Sequence, residues 1–352
     1  RRSRWTNCLA LPILLKYPLS ECSVALLASI FFGFVPMLLF AVFVYWLDRY
    51  EKEPKILLGA AFTWGALVAA GLSFLLNTSV GVGVYLLTGS EAAAELTSST
   101  LTAPIIEEIF KGLAVLLVFL IFRNEFDSIL DGLIYAAVTA LGFAATENAF
   151  YIYSYGYQQD GWSGIFALVI IRVLIVGWQH PFYTSFTGIG LAAARLSKSS
   201  TVKILAPLAG LTTAAFTHSV HNLIASVVPG LGGFVFGSLL DWLGWALMFA
   251  FVLYRVYAEK RLLVQHLQEE IALGVLTAPQ YQTACSPWSR TAAHLNALFE
   301  GRYAATRRFY RLCGELAHKK NQLASLGDEQ GNQQIIQRLR TEMQSLSTTA
   351  AA

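Results

Sequence analysis

The stretch VALLASIFFGFVPMLLFAVFVYWL, residues 24–47, contains no charged side chain. A helix needs about 20 largely apolar residues to cross the hydrocarbon core of a bilayer, so this stretch predicts a membrane-spanning helix. The whole chain of 352 residues suits the same environment, because 55% of it is hydrophobic, 13% is charged and the mean hydropathy is +0.53. A water-soluble enzyme is therefore nearly excluded. The formal net charge of +3 is too small to indicate a nucleic-acid partner.

Similar apolar stretches follow along the chain. The fifth of them is too long for one straight crossing and contains Pro181, where a helix is expected to bend or break. The predicted fold class is all-α, a polytopic membrane helical bundle of about seven spans, or eight if one lies upstream. The predicted spans are 24–47, 56–76, 103–122, 131–153, 164–195, 203–226 and 238–257.

Lys and Arg are concentrated in alternate loops, whereas the loops at 77–102, 154–163 and 227–237 contain neither. The positive-inside rule then predicts a multi-pass protein of the plasma membrane with a cytoplasmic C-terminus. An odd number of spans would place the basic segment 1–23 outside. We therefore expect that segment to re-enter the membrane or lie at its interface, unless a further helix precedes it.

The composition changes after about residue 258, where polar stretches carry leucine at helical spacing. The predicted domains are the N-terminal segment 1–23, a membrane core over 24–257 and a cytosolic helical tail over 258–352. We expect the tail to pack on itself or on a second subunit, which would make the protein an oligomer. Its histidines show no ligand-like grouping in the sequence, and the four cysteines of the chain have no spacing typical of a disulfide framework or zinc site.

Ionisable side chains inside the spans are the candidate functional residues, because a charge near the bilayer centre is costly. The third span begins with APIIEEIFK at residues 103–111. Two adjacent carboxylates, Glu107 and Glu108, are hard to ionise together, so one of them is suited to proton transfer. Lys111 lies on the same helix face and can pair with one carboxylate. The alternative is a structural ion pair at the membrane boundary.

The fourth span carries Glu147 and Asn148 just after a run of small residues at 136–145. Small residues let neighbouring helices approach closely, so Glu147 is expected to point into the bundle. The alternative is a hydrogen bond that only joins two helices. That reading is less favourable, because burying a charge for this purpose is expensive.

Histidines mark the fifth and sixth spans. His180 precedes a proline that frees space beside it, and Arg172 lies two helical turns upstream. His218 and Asn222 are four residues apart, so they share a helix face and could reach one oxygen atom. His221 lies about 60° from that face and is the less favoured participant. A polar seam between helices remains the alternative.

These residues share a depth in the membrane. Glu107 and Glu108 lie about one turn from the outer end of their helix, and Glu147 and His218 about two turns. His180 falls near the middle of its span. Carboxylates that take a proton from water, imidazoles that carry it or bind a metal, and an amide that stabilises an oxyanion are the groups of a hydrolase. The sequence contains no GxSxG motif.

Together these motifs resemble a known family. E-E-x-x-K at 107–111, F-x-x-x-E-N at 143–148, the histidine at 180 and H-x-x-x-N at 218–222 resemble the PrsW family of intramembrane proteases, within the superfamily of CAAX prenyl endopeptidases and Abi proteins. The charged loop at 48–54 is similar as well. The resemblance covers roughly residues 45–225. Each motif alone is weak, but four in order on separate helices are specific.

The resemblance implies a prokaryotic endopeptidase that hydrolyses peptide bonds of membrane-spanning or membrane-associated proteins. It implies that Glu107 or Glu108 activates water, that His180 assists, and that His218 and Asn222 hold the oxyanion. The catalytic residues so implied are Glu107, Glu108, Glu147, His180, His218 and Asn222, supported by Lys111, Arg172 and Asn148.

One version of this mechanism uses a metal ion. Glu147 stands where the CAAX enzymes have a histidine, so Glu147, His180 and His218 would form a three-ligand set with an open water position, as in catalytic zinc sites. The family is often labelled metalloprotease, whereas its relatives act as metal-free glutamate proteases. No HExxH helix is present, and zinc and metal-free mechanisms both remain open.

Two other functions use the same residues. Buried carboxylates with histidine and Arg172 also describe the proton relay of an ion-coupled transporter. The two halves of the chain show no internal repeat of the kind found in many transporters, so the transporter interpretation ranks second to the protease. The third is a non-catalytic membrane scaffold whose polar residues only hold helices together.

Overall fold

The computed structural model describes residues 19–228, 230–328 and 331–350, and every regular element in these ranges is a helix. The predicted all-α class is confirmed. Turns of π-helix interrupt or join several helices, at Trp64–Ala69, Ser98–Thr102, Ile152–Tyr157 and Val169–Ile175. In chain order the helices are α1 (Leu19–Leu47), α2 (Lys55–Thr88), α3 (Glu91–Thr97), α4 (Ala103–Ile121), α5 (Ile129–Tyr151), α6 (Gln158–Leu168), α7 (Gln179–Leu196), α8 (Ser200–Val227), α9 (Gly230–Ala272), α10 (Ala278–Ala284), α11 (Pro287–Phe299), α12 (Tyr303–Leu326) and α13 (Asn332–Ser347).

Burial in the helical bundle is the reverse of that in a water-soluble protein. Leu39 and Leu87 are 64% and 88% exposed, whereas Glu108 and Lys111 are 0% exposed. Large apolar side chains are stable on the outside only where that surface meets lipid or another apolar surface. The helices therefore form a membrane-embedded bundle whose charged groups face inward.

Four helical runs in the described residues are long and apolar enough to cross a membrane: Ser20–Leu47, Lys55–Thr88, Ile129–Leu196 and Gly230–Ala272. The predicted count of about seven spans is not confirmed. Helices α4 and α8 are absent from this set. Helix α4 carries three charged residues, Glu107, Glu108 and Lys111, and α8 contains Lys203, two histidines and several hydroxyl residues.

The third of these runs is not one straight helix. It turns back at Gly161, whose φ of 65° and ψ of −142° lie outside the helical region. It breaks again between Val176 and Gln179, so Pro181 falls in the first turn of α7, where a proline is tolerated. The predicted bend near Pro181 is therefore observed as a break. This break leaves His180 at the start of a helix that enters the bundle.

Helix α5 forms the centre of the bundle, and most of its residues are buried. Glycines permit its close contacts: a Cβ added to Gly188 of α7 would lie 2.0 Å from the carbonyl oxygen of Gly132, and one added to Gly142 would lie 2.0 Å from that of Phe62 on α2. Small residues at helix crossings allow such backbone approach. The helices that carry the polar residues are thereby drawn around α5.

The C-terminal tail has its own apolar core, formed by residues such as Leu267, Phe309, Leu316 and Met343. It begins without a break, because α9 runs from Gly230–Ala272 across the predicted domain boundary at 257–258. Tyr50, in the loop between α1 and α2, is buried in the same core. The tail therefore packs against the membrane bundle. Most of the predicted N-terminal segment 1–23 lies outside the described residues.

Candidate active site

Lys111 occupies the centre of a polar cluster inside the bundle. Helix α4 begins with Pro104 in its first turn and places three charged side chains on its buried face. The Nζ atom of Lys111 lies 2.8 Å from Glu108 Oε1 and 3.5 Å from Glu107 Oε2. The same atom lies 3.0 Å from His180 Nδ1. The third and fifth predicted spans therefore meet at this ammonium group.

His180 connects Lys111 to the acidic residue of α5. Its Nε2 atom lies 2.8 Å from Glu147 Oε2, and Arg172 donates to that oxygen, also at 2.8 Å. The Nε atom of Arg172 donates to Asn148 Oδ1 at 3.1 Å. An ammonium group can only donate, so Nδ1 of His180 accepts from Lys111 and Nε2 carries the proton towards the carboxylate. His180 is thus fixed in one tautomer.

Glu108 is the most firmly held carboxylate of the cluster. Its Oε1 atom contacts Lys111 and lies 3.1 Å from His218 Nδ1, while its Oε2 atom accepts a hydrogen bond of 2.7 Å from Thr184. The Nε2 atom of His218 lies 3.8 Å from Glu107 Oε2, which is beyond hydrogen-bond distance. Glu107 is therefore the carboxylate with the weaker fixed contacts.

Asn222 lies apart from this cluster. Its amide donates to the carbonyl oxygen of Ser99, in the turn before α4, at 2.8 Å. His218 and Asn222 therefore do not contact a common oxygen atom in this arrangement. The oxyanion role of Asn222 stays a prediction. The other predicted residues form one connected network: Glu107, Glu108, Lys111, Glu147, Asn148, Arg172, His180 and His218.

The charges of this network do not balance. Three carboxylates, Glu107, Glu108 and Glu147, face two cations, Lys111 and Arg172, which leaves one formal negative charge when the histidines are neutral. Uncompensated charge is expensive in a poorly solvated site. The network is therefore suited to hold a proton or a cation.

Asp241 of α9 anchors a second group of polar side chains that the sequence interpretation missed. It accepts from Gln179 at 2.5 Å and from Tyr183 at 3.2 Å, and it lies 2.9 Å from His221 Nδ1. The ring of Tyr183 stacks on His218, with 4.9 Å between ring centroids. An acidic residue inside the predicted span 238–257 was the signal for it. Thr184, also missed, lies four residues after His180 on the same helix face.

Comparison with known proteins identifies this arrangement. Residues 53–255 match the family described as PrsW family intramembrane metalloprotease. The chain belongs to the PrsW family. It is an intramembrane protease, and neither the transporter nor the scaffold interpretation is favoured.

Curated relatives named Protease PrsW support the assignment. The protein of Geobacillus kaustophilus is 24% identical over 214 residues, which cover 61% of this chain and 86% of the relative. That of Clostridioides difficile is 36% identical over 121 residues, covering 34% and 48%. That of Bacillus subtilis is 24% identical over 222 residues, covering 62% and 86%. No solved structure matches this chain significantly.

The metal that the family description implies can be compared with the donors present. One ligand atom each from Glu107, His180 and His218 lie within 4.8 Å of one another. One carboxylate and two imidazoles are a common donor set of catalytic zinc. Each histidine also has a carboxylate on its other nitrogen, Glu147 for His180 and Glu108 for His218, as metal-bound histidines usually have. The residues of this PrsW-family site therefore fit zinc.

The structure groups these donors differently from the sequence interpretation. Glu147 was expected to be the carboxylate ligand, but His180 and Arg172 both hold its Oε2 atom. Glu107 instead completes the group with the two histidines. To coordinate a metal through Nδ1, His180 would have to give up its contact with Lys111.

Proposed function

We propose that Glu107 takes the proton from the water that attacks a peptide bond of a membrane protein substrate. The observation that supports this role is the difference between the two adjacent glutamates. Glu108 is held by Lys111, Thr184 and His218, whereas Glu107 makes a longer contact of 3.5 Å with Lys111. A base needs a lone pair that substrate or water can reach, and Glu107 retains one.

The other residues have positioning roles in this proposal. Glu108 fixes Lys111, and Lys111 in turn holds Glu107 and His180 at a constant separation. Glu147 and Arg172 hold the tautomer of His180. The Nε2 atom of His218 faces Glu107 and is within reach of the same small molecule. Preorganised charges of this kind act without a reorganisation cost during the reaction.

Zinc, where it is bound, would be held by Glu107, His180 and His218, and Glu107 would then serve as a ligand instead of the base. It would supply a Lewis acid and lower the pKa of a coordinated water molecule. Glu108 and Glu147 would then orient the two imidazoles through their other nitrogens. The donors of this chain favour zinc over Mg²⁺, because two of the three are imidazoles.

The substrate is a protein that spans or associates with the membrane, and the reaction takes place within the bilayer. We propose the plasma membrane of a prokaryote as its location, with the tail in the cytoplasm, because the basic loops lie on one side of the predicted topology. The proposed kinship with the CAAX proteases and Abi proteins rests on the glutamate pair and the histidines of separate helices. Self-association through the tail is a further proposal.

The test is cleavage of a co-expressed reporter, a single apolar transmembrane helix with a different tag at each end. Glu107→Gln is expected to reduce cleavage by at least about a hundredfold, the usual effect of removing a general base. Glu91→Gln, at the exposed start of α3, is the matched control and should retain full activity. Cleavage at the wild-type rate by the Glu107→Gln protein would exclude the proposed base.

The dependence on metal is tested on the purified wild-type protein. If zinc takes part, 1,10-phenanthroline should stop cleavage, zinc should restore it, and His218→Asn should lose bound zinc. Activity that survives complete removal of metal would assign the reaction to Glu107 and its neighbours alone.

A further inference from the structure

A second cluster of ligand-type side chains lies outside the active site, at the junction of the bundle and the tail. It brings together Glu51 from the α1–α2 loop, Asp127 from the segment before α5, and His318 from α12. One atom of each lies within 4.8 Å of the others. The Nδ1 atom of His318 is 2.9 Å from Asp127 Oδ1 and 3.6 Å from Glu51 Oε2.

Polar atoms of this cluster lack the partners that burial requires. His318 is 2% exposed; its Nδ1 atom forms an ion pair with Asp127 Oδ1 at 2.9 Å, whereas its Nε2 atom has no hydrogen-bond partner. The Oε2 atom of Glu51 is also shielded from solvent and without a hydrogen-bond partner. Leaving buried polar atoms unsatisfied costs about 1–3 kcal/mol for each group. The cluster therefore retains buried polar atoms that a bound ion could satisfy.

The Oδ2 atom and the backbone N–H of Asp127 already make hydrogen bonds. Lys319 donates to its Oδ2 atom at 3.1 Å, and its backbone N–H donates to Asp131 Oδ2 at 2.9 Å. Asp131 belongs to the capping box of α5. These two hydrogen bonds fix the orientation of Asp127, so its Oδ1 atom faces His318. Such support of a ligand by neighbouring hydrogen bonds is typical of metal sites.

Negative charge accumulates around the cluster. Asp48 and Glu53 are 2% and 5% exposed. Neutral groups donate hydrogen bonds to both: the backbone N–H of Glu53 donates to Asp48, and the hydroxyl of Tyr135 donates to Glu53. Neutral donors satisfy oxygen lone pairs but do not cancel charge. Lys319 pairs with Asp127 and Lys52 lies near Asp48, so a bound cation would add to the positive charge already present.

The separations in the cluster suit a metal. Zn–N and Zn–O bonds of about 2.0–2.2 Å place tetrahedral ligands about 3.3–3.6 Å apart and octahedral neighbours about 2.8–3.1 Å apart. The distance of 2.9 Å matches octahedral neighbours and that of 3.6 Å matches tetrahedral ones, so small side-chain shifts would bring the three ligands into either geometry. An adjacent polar cavity of roughly 300 Å³ is lined in part by Glu51 and Asp127.

We propose that Glu51, Asp127 and His318 bind a divalent transition-metal ion, most readily zinc, that fastens the tail to the membrane bundle. Two ligands come from loops of the bundle and the third from the tail, so the ion would be a structural crosslink. The imidazole favours zinc over Mg²⁺ and Ca²⁺. The site shares no residue with the active site, so it stands whether or not the protease uses zinc.

Metal content measures the proposal directly. Wild-type protein in detergent is equilibrated with micromolar zinc and a weak competing chelator, and bound zinc is measured by mass spectrometry. His318→Asn and Asp127→Asn should each hold one equivalent less per chain than wild type. His266→Asn, the matched control on α9, should match wild type. Equal zinc in wild-type and His318→Asn proteins would overturn the site.

A His180→Asn, His218→Asn double variant distinguishes zinc at the junction from zinc at the active site, because it removes two of the proposed active-site ligands. That protein should still bind one equivalent of zinc, and adding His318→Asn should remove it. If the double variant binds none, the zinc belongs to the active site alone and the proposed crosslink is wrong. If it retains one and wild type also has one, the crosslink is present and the active site is metal-free.

A measurement on unmodified protein covers the case in which a variant fails to fold. Removing zinc from wild-type protein should make proteolysis of the tail at least about tenfold faster, and adding zinc should reverse it. Cobalt in place of zinc should give the visible absorption of a nitrogen- and oxygen-ligated ion in the His180→Asn, His218→Asn protein. An unchanged proteolysis rate together with no cobalt absorption would show that His318 is a protonated partner of the two carboxylates.

Discussion

At the scale of single residues, the site is organised by Lys111, a fully buried ammonium group among carboxylates. Each of its three N–H groups has one partner: Glu107, Glu108 and His180. A buried cation in this position is stable only while its partners remain charged or able to accept hydrogen bonds. The two glutamates should therefore differ in what their loss does to stability.

The first prediction separates catalysis from stability. Glu108→Gln and Glu107→Gln should both abolish cleavage, but Glu108→Gln should destabilise the protein much more, by about 3–5 kcal/mol, because it breaks the closer buried ion pair of Lys111. Detergent unfolding followed by tryptophan fluorescence measures the difference. Equal stability of the two variants would contradict the assigned roles.

The second prediction concerns Thr184, whose hydroxyl donates to Glu108 Oε2 at 2.7 Å. Thr184→Val keeps the shape but leaves that oxygen without its partner, at a cost of about 1–3 kcal/mol. Cleavage should fall about tenfold or more, and Thr184→Ser should restore most of it. Thr213→Val, on the exposed face of α8, is the control and should be neutral. A fully active Thr184→Val protein would remove Thr184 from the site.

At the scale of elements, the lengths of the apolar stretches predicted several helices well, because the thickness of the bilayer core sets the length of a membrane-spanning helix. The span predicted at 24–47 falls within α1, and that at 131–153 nearly coincides with α5. The turn at Gly161 falls within the loop predicted at 154–163. Apolar length could not place α3, a helix of seven residues with two glutamates that lies in the predicted loop at 77–102.

The third prediction tests the close helix contacts around α5. Gly188→Ala should place a methyl group 2.0 Å from the carbonyl oxygen of Gly132 and force α5 and α7 apart. Because overpacking costs about 1–3 kcal/mol, stability and cleavage should both fall. Gly71→Ala, which meets no atom within 4 Å, is the matched control and should be neutral or stabilising. Thermal unfolding in detergent measures both, and equal midpoints would contradict the contact.

At the scale of the whole molecule, the sequence predicted which residues form the active site better than it predicted which of them contact each other. Charged residues in apolar spans are conspicuous, so Glu107, Glu147, His180 and His218 could be found without coordinates. Which carboxylate faces which histidine depends on helix rotation, and this is why Glu107 rather than Glu147 joins the donor group. The sequence did not reveal the grouping of His318 with Glu51 and Asp127, because these partners lie far away in the chain.

The fourth prediction tests whether the tail is a packed part of the molecule. Cys285 and Cys313 lie in its apolar core, and burial raises the pKa of the first thiol to about 11 and of the second to about 12. Since the thiolate is the reactive form, both should be more than about a hundredfold slower to alkylate at pH 8 in the native protein than after unfolding. Peptide mass spectrometry after a timed maleimide reaction measures each cysteine separately.

The sign of the pH dependence follows from the same burial. A raised thiol pKa means that the folded tail disfavours the thiolate, so stability from these thiols is complete below the pKa of the unfolded thiol and falls as pH rises above it. Alkylation of Cys313 should therefore accelerate at high pH only as the tail opens. A tail that hung free of the bundle would instead leave Tyr50 without its core, and both thiols would react at the unfolded rate at pH 8. That result would remove the basis for a metal crosslink between tail and bundle.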